Sequence, residues 1–515
     1  MSSRNGPRGS TGKQQAWLGL RPETLLALVG IMALLLPLSL LSQPADSESP
    51  GGLLARMRAE RGLSQASLGE IDPTGETMRF ATLGLKNVAV TLLWDRANHY
   101  KKVEDWANLS ATLEQLTKLQ PNFYSVWDFQ AHNLSYNISV EFDDYRDRYA
   151  WVIKGIEFLR QGIGLNAFEP RLLGRMGWFI GQKIGRSDEK KEFRRLFIAD
   201  DDFHERDDPR RTLPERDNWL VARGKYRQAQ QLADSGAPLK TTPLIFHSEP
   251  MMTAINYARA LSEEGTFGSA GRRAWELAGE ELRRFATREI PTSWNVPIRL
   301  GLKEAEEARA KRLAAEIEAL VPGRFKALEE ERRAALTPEQ QAALAVPAME
   351  RDERQMQLAS DAEQALKVTW KDVARSAPPE VRDQAWKLAL EEVEARETAE
   401  IIDRYRDIVN FDLWRATCEA EATEPALQAR ELTWKADKEF AAAKLQVAKQ
   451  AYEEAFQAWR KVFDASQILR EDDLTAEDMA EIVGRYRKLL EQLDEPFPSP
   501  FILDDILARA GPVTE

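Results

Sequence analysis

The chain has 515 residues, a formal net charge of −12, 43% hydrophobic residues and a single cysteine, Cys418. The length suggests about three domains, and the apolar content excludes a wholly disordered chain. The acidic balance argues against a nucleic-acid partner, which would need a basic surface opposite phosphate, and one cysteine excludes an internal disulfide and a cysteine-built zinc site.

The N-terminal residues have the pattern of a membrane anchor. Four basic residues precede the first acidic one: Arg4, Arg8, Lys13 and Arg21. Residues 25–41 then form a run of 17 residues without charge, which at about 1.5 Å per residue just crosses the hydrocarbon core of a bilayer. We predict a basic segment over residues 1–23, a membrane anchor or uncleaved signal over 24–42 and a polar linker over 43–77. A cleaved signal peptide and a buried soluble helix are the alternatives.

The basic residues also predict the orientation of this anchor. The positive-inside rule leaves residues 1–23 in the cytoplasm and sends the chain after residue 42 across the membrane. The first positive charges beyond the span are Arg56 and Arg58, and they follow Asp46 and Glu48. The expected location is therefore a bacterial inner membrane, with a single span, a cytoplasmic N terminus and an extracytoplasmic C-terminal part.

Residues 78–300 have a helical apolar period, and part of this region is repetitive. With residue 90 as the first position of a 34-residue unit, large, small and proline residues take fixed positions: Leu93, Ala97, Tyr100, Leu109, Leu113, Leu116 and Pro121. A second, longer unit has matching residues: Trp127, Ala131, Gly155, Leu159, Gly162 and Ala167. A third begins with Leu173 and Gly177.

This pattern resembles the tetratricopeptide repeat, and the resemblance is best over residues 90–186. Leu109 and Leu116 depart from it, since they stand where alanine is usual. The resemblance implies pairs of antiparallel helices, with the first helices of successive repeats lining a concave surface. We therefore predict an all-α fold with a repeat domain over residues 78–300.

Four glycines form one stripe along a predicted helix: Gly174, Gly177, Gly181 and Gly185. Each glycine inside a helix costs roughly 1 kcal/mol against alanine, so the stripe needs a compensating contact. We expect a second helix to approach it closely. A phosphate-binding loop is excluded, because the sequence lacks the G-x-x-x-x-G-K-[ST] motif.

The rest of the chain is charged and helical in pattern. Residues 187–216 are so polar that we expect a solvated loop, with a metal site around the acidic residues 200–208 as the alternative. Residues 301–400 predict long helices with charged faces, arranged as hairpins, and residues 401–515 predict a C-terminal helical bundle and tail. We interpret the aromatic residues on its helices, Trp434, Tyr452, Phe456 and Trp459 among them, as core packing.

No motif indicates catalysis. The sequence contains no H-E-x-x-H helix, no G-x-S-x-G elbow and no Rossmann glycine fingerprint. Cys418 lies in a charged helical stretch, and we expect a buried or half-buried thiol rather than a nucleophile, which would need a lowered pKa and a neighbouring base. The expectation is a non-enzymatic protein without a cofactor or metal.

The repeat resemblance implies a set of groove residues on the three first helices. They are Asn98, Lys101 and Lys102, then Asp128, His132, Ser135 and Tyr136, then Arg171, Arg175, Trp178 and Gln182. Some members of the family clamp a partner's terminal carboxylate in this groove. Arg171, Arg175 and Asn98 match that clamp, whereas Trp94 and Phe129 replace two of its polar contacts. The alternative is that these charges are solvated or paired with neighbours such as Asp128.

The function predicted from these features is a membrane-tethered helical-repeat scaffold or adaptor. It would bind protein or peptide partners, including acidic or C-terminal segments, through Asn98, Lys101, Lys102, His132, Tyr136, Arg171 and Arg175, and would reach the membrane through residues 24–42. The alternatives are an all-α envelope enzyme and a structural subunit of a membrane complex.

Overall fold

The computed structural model describes residues 86–293 and 296–510, together with the isolated positions 33, 52, 53, 56 and 57. The predicted basic segment, anchor and linker (residues 1–77) therefore lie outside the continuously described residues. Within the described part, 22 α-helices and short 3₁₀ and π segments make up the regular structure, with one isolated β-bridge between Ile290 and Ile298. The all-α fold class is confirmed for that part. No helix within it has the length and apolarity needed to cross a membrane.

The chain divides into two compact units. The first contains the residues up to Met176 and Leu232–Pro238, and the second contains Gly177–Gln231 and Leu239–Glu515. The first five helices are α1 (Lys86–Lys102), α2 (Trp106–Leu119), α3 (Tyr124–His132), α4 (Tyr145–Leu165) and α5 (Pro170–Trp178). A π turn extends α3 (Asn133–Ile138), and another extends α5 (Phe179–Lys183).

Helices α1 and α2 form the first core. The side chain of Asp105 caps α2 by accepting the backbone N–H of Asn108, which satisfies one of the donors left unpaired at a helix start. The apolar residues that recur in the sequence lie inside this pair, each no more than 3% exposed: Leu93, Ala97, Leu109, Leu113 and Leu116. Burial of such side chains supplies most of the stability of a helix pair, at about 25 cal/mol per Å² of apolar surface.

Helices α3 and α4 pack antiparallel through small residues. A β-carbon on Gly162 would lie 2.7 Å from the ring of Trp127, and Gly155 faces Ala131 and Ser135 one or two turns further along α3. The indole N–H of Trp127 and the amide of Asn166 both donate to the carbonyl oxygen of Pro121. The glycines therefore let the two backbones approach, and the tryptophan fills the space beside them.

In the second unit, helix α8 (Asn218–Asp234) packs on the glycine stripe. Gly177 faces Ala222 and Tyr226, while Gly181 and Gly185 both face Trp219. The predicted close helix contact is confirmed at these three glycines. The partner helix is α8, which follows α5 only after a further helical segment.

That segment corrects the prediction of a solvated loop over residues 187–216. It folds into α6 (Lys190–Ile198), α7 (Asp201–Asp207) and a 3₁₀ turn (Leu213–Arg216). Three phenylalanines bury one face of it, each at most 1% exposed: Phe193, Phe197 and Phe203. The segment can pack with few apolar residues because its buried charged side chains are paired with opposite charges. Arg194, which is 3% exposed, donates to Asp217 at 2.9 Å and to Glu264 at 2.6 Å.

The remaining α-helices of the second unit are α9 (Pro243–Glu263), α10 (Gly268–Thr287), α11 (Lys303–Leu320), α12 (Arg324–Ala334), α13 (Pro338–Ala345), α14 (Glu353–Leu366), α15 (Trp370–Arg375), α16 (Pro379–Ile408), α17 (Phe411–Glu421), α18 (Glu424–Ala441), α19 (Leu445–Ala465), α20 (Gln467–Glu471), α21 (Asp473–Gln492) and α22 (Asp504–Leu507). Helices α9 and α10 share one core with Ile402, Phe411 and Leu427. This core therefore joins residues on both sides of the predicted boundaries at 300 and 400.

The C-terminal helices form a separate core rich in alanine and aromatic residues. Tyr452, Phe456 and Trp459 on α19 are each at most 3% exposed and pack with Tyr486 of α21. The hydroxyl of Tyr452 donates to Asp437 at 2.5 Å, so the polar end of this buried ring has a partner. The interpretation as core packing is confirmed for Tyr452, Phe456 and Trp459, whereas Trp434 is half-buried and lies outside this core.

Candidate functional site

Helix α3 contacts both α1 and α5, so the three predicted first helices meet in the first unit. The Nζ of Lys101 on α1 lies 4.9 Å from the ring centroid of Phe129, and Trp94 lies 6.3 Å from the same ring. The guanidinium of Arg171 on α5 lies 4.2 Å from the ring centroid of Tyr124. We call Asn98, Lys101, Lys102, His132, Tyr136, Arg171 and Arg175 the first-helix residues.

The α1 members of this set are exposed. Asn98, Lys101 and Lys102 lie on the last turn and a half of α1, and all three are solvent-accessible. Trp94 and Phe129 are half-buried and pack against each other, with ring centroids 6.3 Å apart.

The α3 members form an aromatic pair. The rings of His132 and Tyr136 stack with centroids 4.7 Å apart and planes 14° from parallel, and both residues are half-buried. Burial raises the pKa of Tyr136 to about 12. Ser135, also predicted to face the groove, is buried instead and donates to the carbonyl of Val152 at 3.2 Å.

The two arginines of α5 already have carboxylate partners. Arg171 makes a bidentate ion pair with Glu169, with both nitrogen–oxygen distances 2.7 Å, and Arg175 Nε lies 2.5 Å from Asp128 Oδ1. Asp128 also accepts the hydroxyl of Tyr124 at 3.3 Å. The hydrogen bond to Glu169 is the main reason that the pKa of Arg171 is raised. A ligand carboxylate would have to compete with these carboxylates, and this arrangement differs from an open clamp.

Trp178, the last residue of α5, and Gln182, in the π turn that follows, belong to the second unit. The other nine predicted groove residues, Asp128 and Ser135 among them, lie on α1, on α3 with its π turn, and on the part of α5 in the first unit.

The sequence interpretation missed a basic cavity in the second unit, because it treated residues 187–216 as solvated. We call it the α6 cavity. Its walls come from α6, the end of α9 and α18, and its lining includes Lys190, Lys191, Arg194, Arg195, Trp434 and Lys438. The sequence signal was the basic pairs at 190–191 and 194–195, which fall on one helical face at a spacing of four.

The other residues considered for catalysis or metal binding make structural contacts instead. Cys418 is buried, and burial raises the pKa of its thiol to about 12, which opposes nucleophilic activity. In the acidic stretch, Asp207 pairs with Lys225 at 2.6 Å and with Arg211 at 2.8 Å. Over residues 86–293 and 296–510, no three or more His, Cys, Asp or Glu side chains are grouped to hold a metal ion.

Comparison with known proteins adds no relative: no protein-family model, curated protein sequence or solved structure matches the chain.

Proposed function

We propose that the chain is a membrane-tethered helical-repeat scaffold that binds protein or peptide partners on the extracytoplasmic side. The anchor would be residues 24–42, and the binding surface would be formed by the first-helix residues. The supporting observation is that α3 contacts both α1 and α5, so that residues 77 positions apart in sequence, from Asn98 to Arg175, belong to one group of contacting helices.

The chemistry of these residues suits a partner with mixed polar and aromatic groups. Lys101 and Lys102 offer exposed positive charge, Tyr136 offers a neutral hydroxyl, and the ring of Phe123 at the α2–α3 turn is 44% exposed. Exposed aromatic and cationic groups are the common anchors of protein interfaces. The ion pairs of the two arginines add specificity, because an acidic group of the partner must displace Glu169 or Asp128 to bind the guanidinium group.

Site-specific photocrosslinking in intact membranes tests this function. A photoreactive residue at Asn98 or Lys102 should yield a discrete adduct with a partner protein, and mass spectrometry would identify it. Matched control positions lie on α2, where Glu114 and Lys118 are equally exposed. The same adducts from α2, or none from α1, would contradict the proposed surface.

A charge reversal then tests the contribution of the lysines. Replacing Lys101 and Lys102 with Glu should reduce the adduct formed from Asn98 while leaving the protein level in the membrane unchanged, because exposed lysines contribute little to stability. An undiminished adduct would show that the partner is held elsewhere.

A further inference from the structure

We propose that the α6 cavity binds a small organic oligophosphate, a multiply charged anion carried on a ring or another apolar body. This site lies wholly within the second unit and goes beyond the scaffold function, which uses the first unit. The cavity has a volume of about 450 Å³, within the range of about 300–1,000 Å³ typical of small-molecule sites.

The lining of the cavity concentrates positive charge in an acidic protein. Five basic side chains line it against two carboxylates, Glu263 and Glu264, whereas the whole chain has a net charge of −12. Both carboxylates are engaged, since Lys190 Nζ lies 2.6 Å from Glu263 and Arg194 Nε lies 2.6 Å from Glu264. With five cations against two carboxylates, the lining as a whole carries a net positive charge. Basic groups converging on one concave surface favour anions that carry more than one charge.

Buried interactions fix the floor of the cavity. Arg194 is 3% exposed, and its guanidinium is held by Asp217 and Asn218 as well as by Glu264. Each nitrogen of this guanidinium donates to one of the three partners, and the arginine thereby fixes the helix that bears Lys190, Lys191 and Arg195. Because buried Arg194 fixes the helix that carries these three basic side chains, the cavity is preformed, and a ligand does not have to order it on binding.

The opposite wall is aromatic and equally constrained. Gly265 adopts a positive φ of 83°, and a β-carbon there would lie 2.5 Å from the indole of Trp434. Phe267 meets the same indole edge-on at 6.0 Å, and Lys438 Nζ lies 5.3 Å from its centroid. Trp434 is therefore held in one orientation, with the ammonium group of Lys438 over its ring. An apolar or aromatic body can pack on this wall, with Ile198 and Ala260 adjacent.

Lysine chemistry favours phosphate as the charged group. Lys191 and Lys438 are exposed and present ammonium groups, which act as compact point charges toward phosphate oxygens. The arginines of the lining suit phosphate as well, since a guanidinium can bind it through two parallel hydrogen bonds. The size of the cavity fits one small molecule, and the net charge of the chain opposes a nucleic-acid polymer.

Isothermal titration of the full-length protein tests the proposal with three probes in magnesium-free buffer. ATP supplies both phosphates and a ring, inorganic pyrophosphate supplies the charges alone, and adenosine supplies the ring alone. We expect saturable binding of one ATP per chain, weaker binding of pyrophosphate and no saturable binding of adenosine. ATP binding should weaken as salt rises, because exposed charges are screened over about 8–10 Å.

Matched variants assign the binding to this cavity. Lys191→Gln combined with Lys438→Gln should weaken ATP binding about tenfold or more, and neither lysine is part of a core, since both are exposed. The control is Lys387→Gln combined with Lys435→Gln, which removes the same charge from exposed positions outside the lining and should leave the affinity unchanged. Equal losses in the two double variants, or no binding of ATP and pyrophosphate at millimolar concentration, would overturn the proposal. Equal affinity for pyrophosphate and ATP would overturn the role given to Trp434.

Discussion

The backbone of Gly185 lies directly against the indole of Trp219, so closely that a β-carbon on residue 185 would come within 2.5 Å of Cζ2 and 2.7 Å of Asn218 Nδ2. A β-carbon on Gly181, one turn earlier, would lie 3.0 Å from the same ring. Trp219 is 2% exposed. Gly181 and Gly185 therefore leave room for one tryptophan of α8, and the helical cost of these two glycines is offset by the burial of that ring.

We expect Gly185→Ala to destabilise the second unit by about 1–3 kcal/mol, because the added methyl group must displace a packed ring. The matched control is Gly224→Ala on the facing helix α8, where a β-carbon would meet no atom within 4 Å. That change should stabilise the protein by up to about 1 kcal/mol, since it only removes the helical penalty of glycine. Urea denaturation followed by circular dichroism measures both, and midpoints that shift in the same direction would contradict the interpretation.

The ion pair between Arg406 and Glu304 predicts a dependence of stability on pH. Arg406 is 2% exposed and donates to both oxygens of Glu304, at 2.7 and 2.8 Å, and these hydrogen bonds are the main reason that the pKa of Glu304 falls from 4.5 to about 2. A carboxyl with a depressed folded-state pKa stabilises the protein above its unfolded pKa, and this stabilisation is lost as the pH falls through the window from 4.5 to about 2.

Thermal melts of wild type and Glu304→Gln across pH 2–7 measure this contribution. The wild type should be more stable at pH 7, and the difference should shrink below about pH 4.5. Because the Glu304 side chain is 55% exposed, we expect no more than about 1 kcal/mol. Glu330→Gln, at an exposed position on α12, controls for the loss of one charge. A difference that stays constant down to pH 2 would show that the pair contributes nothing through ionisation.

The helical period of the sequence predicted the secondary structure well and the tertiary pairing only in part. The leucines and the alanine that recur at fixed spacing on α1 and α2, from Leu93 to Leu116, are buried, and the close approach at Gly177, Gly181 and Gly185 follows from their shared face. The prediction failed over residues 187–216, because charge density was taken as exposure. Arg194 and Asp207 are charged yet paired with residues up to 70 positions away, and such pairing is not visible in a local pattern.

The candidate sites, too, could be predicted from the sequence only where they depend on local spacing. The repeat register predicted that Arg171 and Arg175 lie on one helix. Glu169, which pairs with Arg171, is a local neighbour two residues earlier, whereas the pair of Arg175 with Asp128, named as an alternative from the sequence, depends on the helix-to-helix geometry. The α6 cavity could not be predicted, because it brings Lys191 together with Lys438, which lies in a different predicted domain. Spacing along one helix can be derived from sequence, whereas the meeting of distant helices requires the fold.

The membrane anchor is a prediction from sequence alone, and a topology experiment decides it. Four basic residues precede the uncharged run over residues 25–41, so protease added to spheroplasts should digest the chain beyond residue 42 while sparing a cytoplasmic marker. Replacing Leu34 and Leu35 with Arg should release the protein from the membrane fraction, since each charge near the centre of a span costs about 2.5–3.5 kcal/mol. Full protection of the C-terminal part in intact spheroplasts would refute the orientation.

The pairing of Arg175 with Asp128 leads to opposite expectations for two single substitutions. Arg175→Ala should weaken binding of an acidic segment from a crosslinked partner by about 1.5–3 kcal/mol, the range for a hydrogen bond to a charged group. Asp128→Asn should strengthen the same binding, because it removes the carboxylate at 2.5 Å from Arg175 Nε with which the ligand competes. The asparagine oxygen can still accept the hydroxyl of Tyr124, so the local fold keeps that hydrogen bond.

Titration of the partner segment against both variants at low and high salt measures these effects. The ion pair is only one quarter exposed on each side, so melting temperatures should be recorded in parallel to separate binding from stability. Lys118→Ala on α2 is the charge control, since Lys118 is exposed on a helix outside the proposed surface. Because groove charges are screened by salt, the gain in Asp128→Asn should shrink at high ionic strength. If Asp128→Asn weakens binding as Arg175→Ala does, the ion pair itself is part of the surface that the partner recognises, and the acidic segment does not displace Asp128.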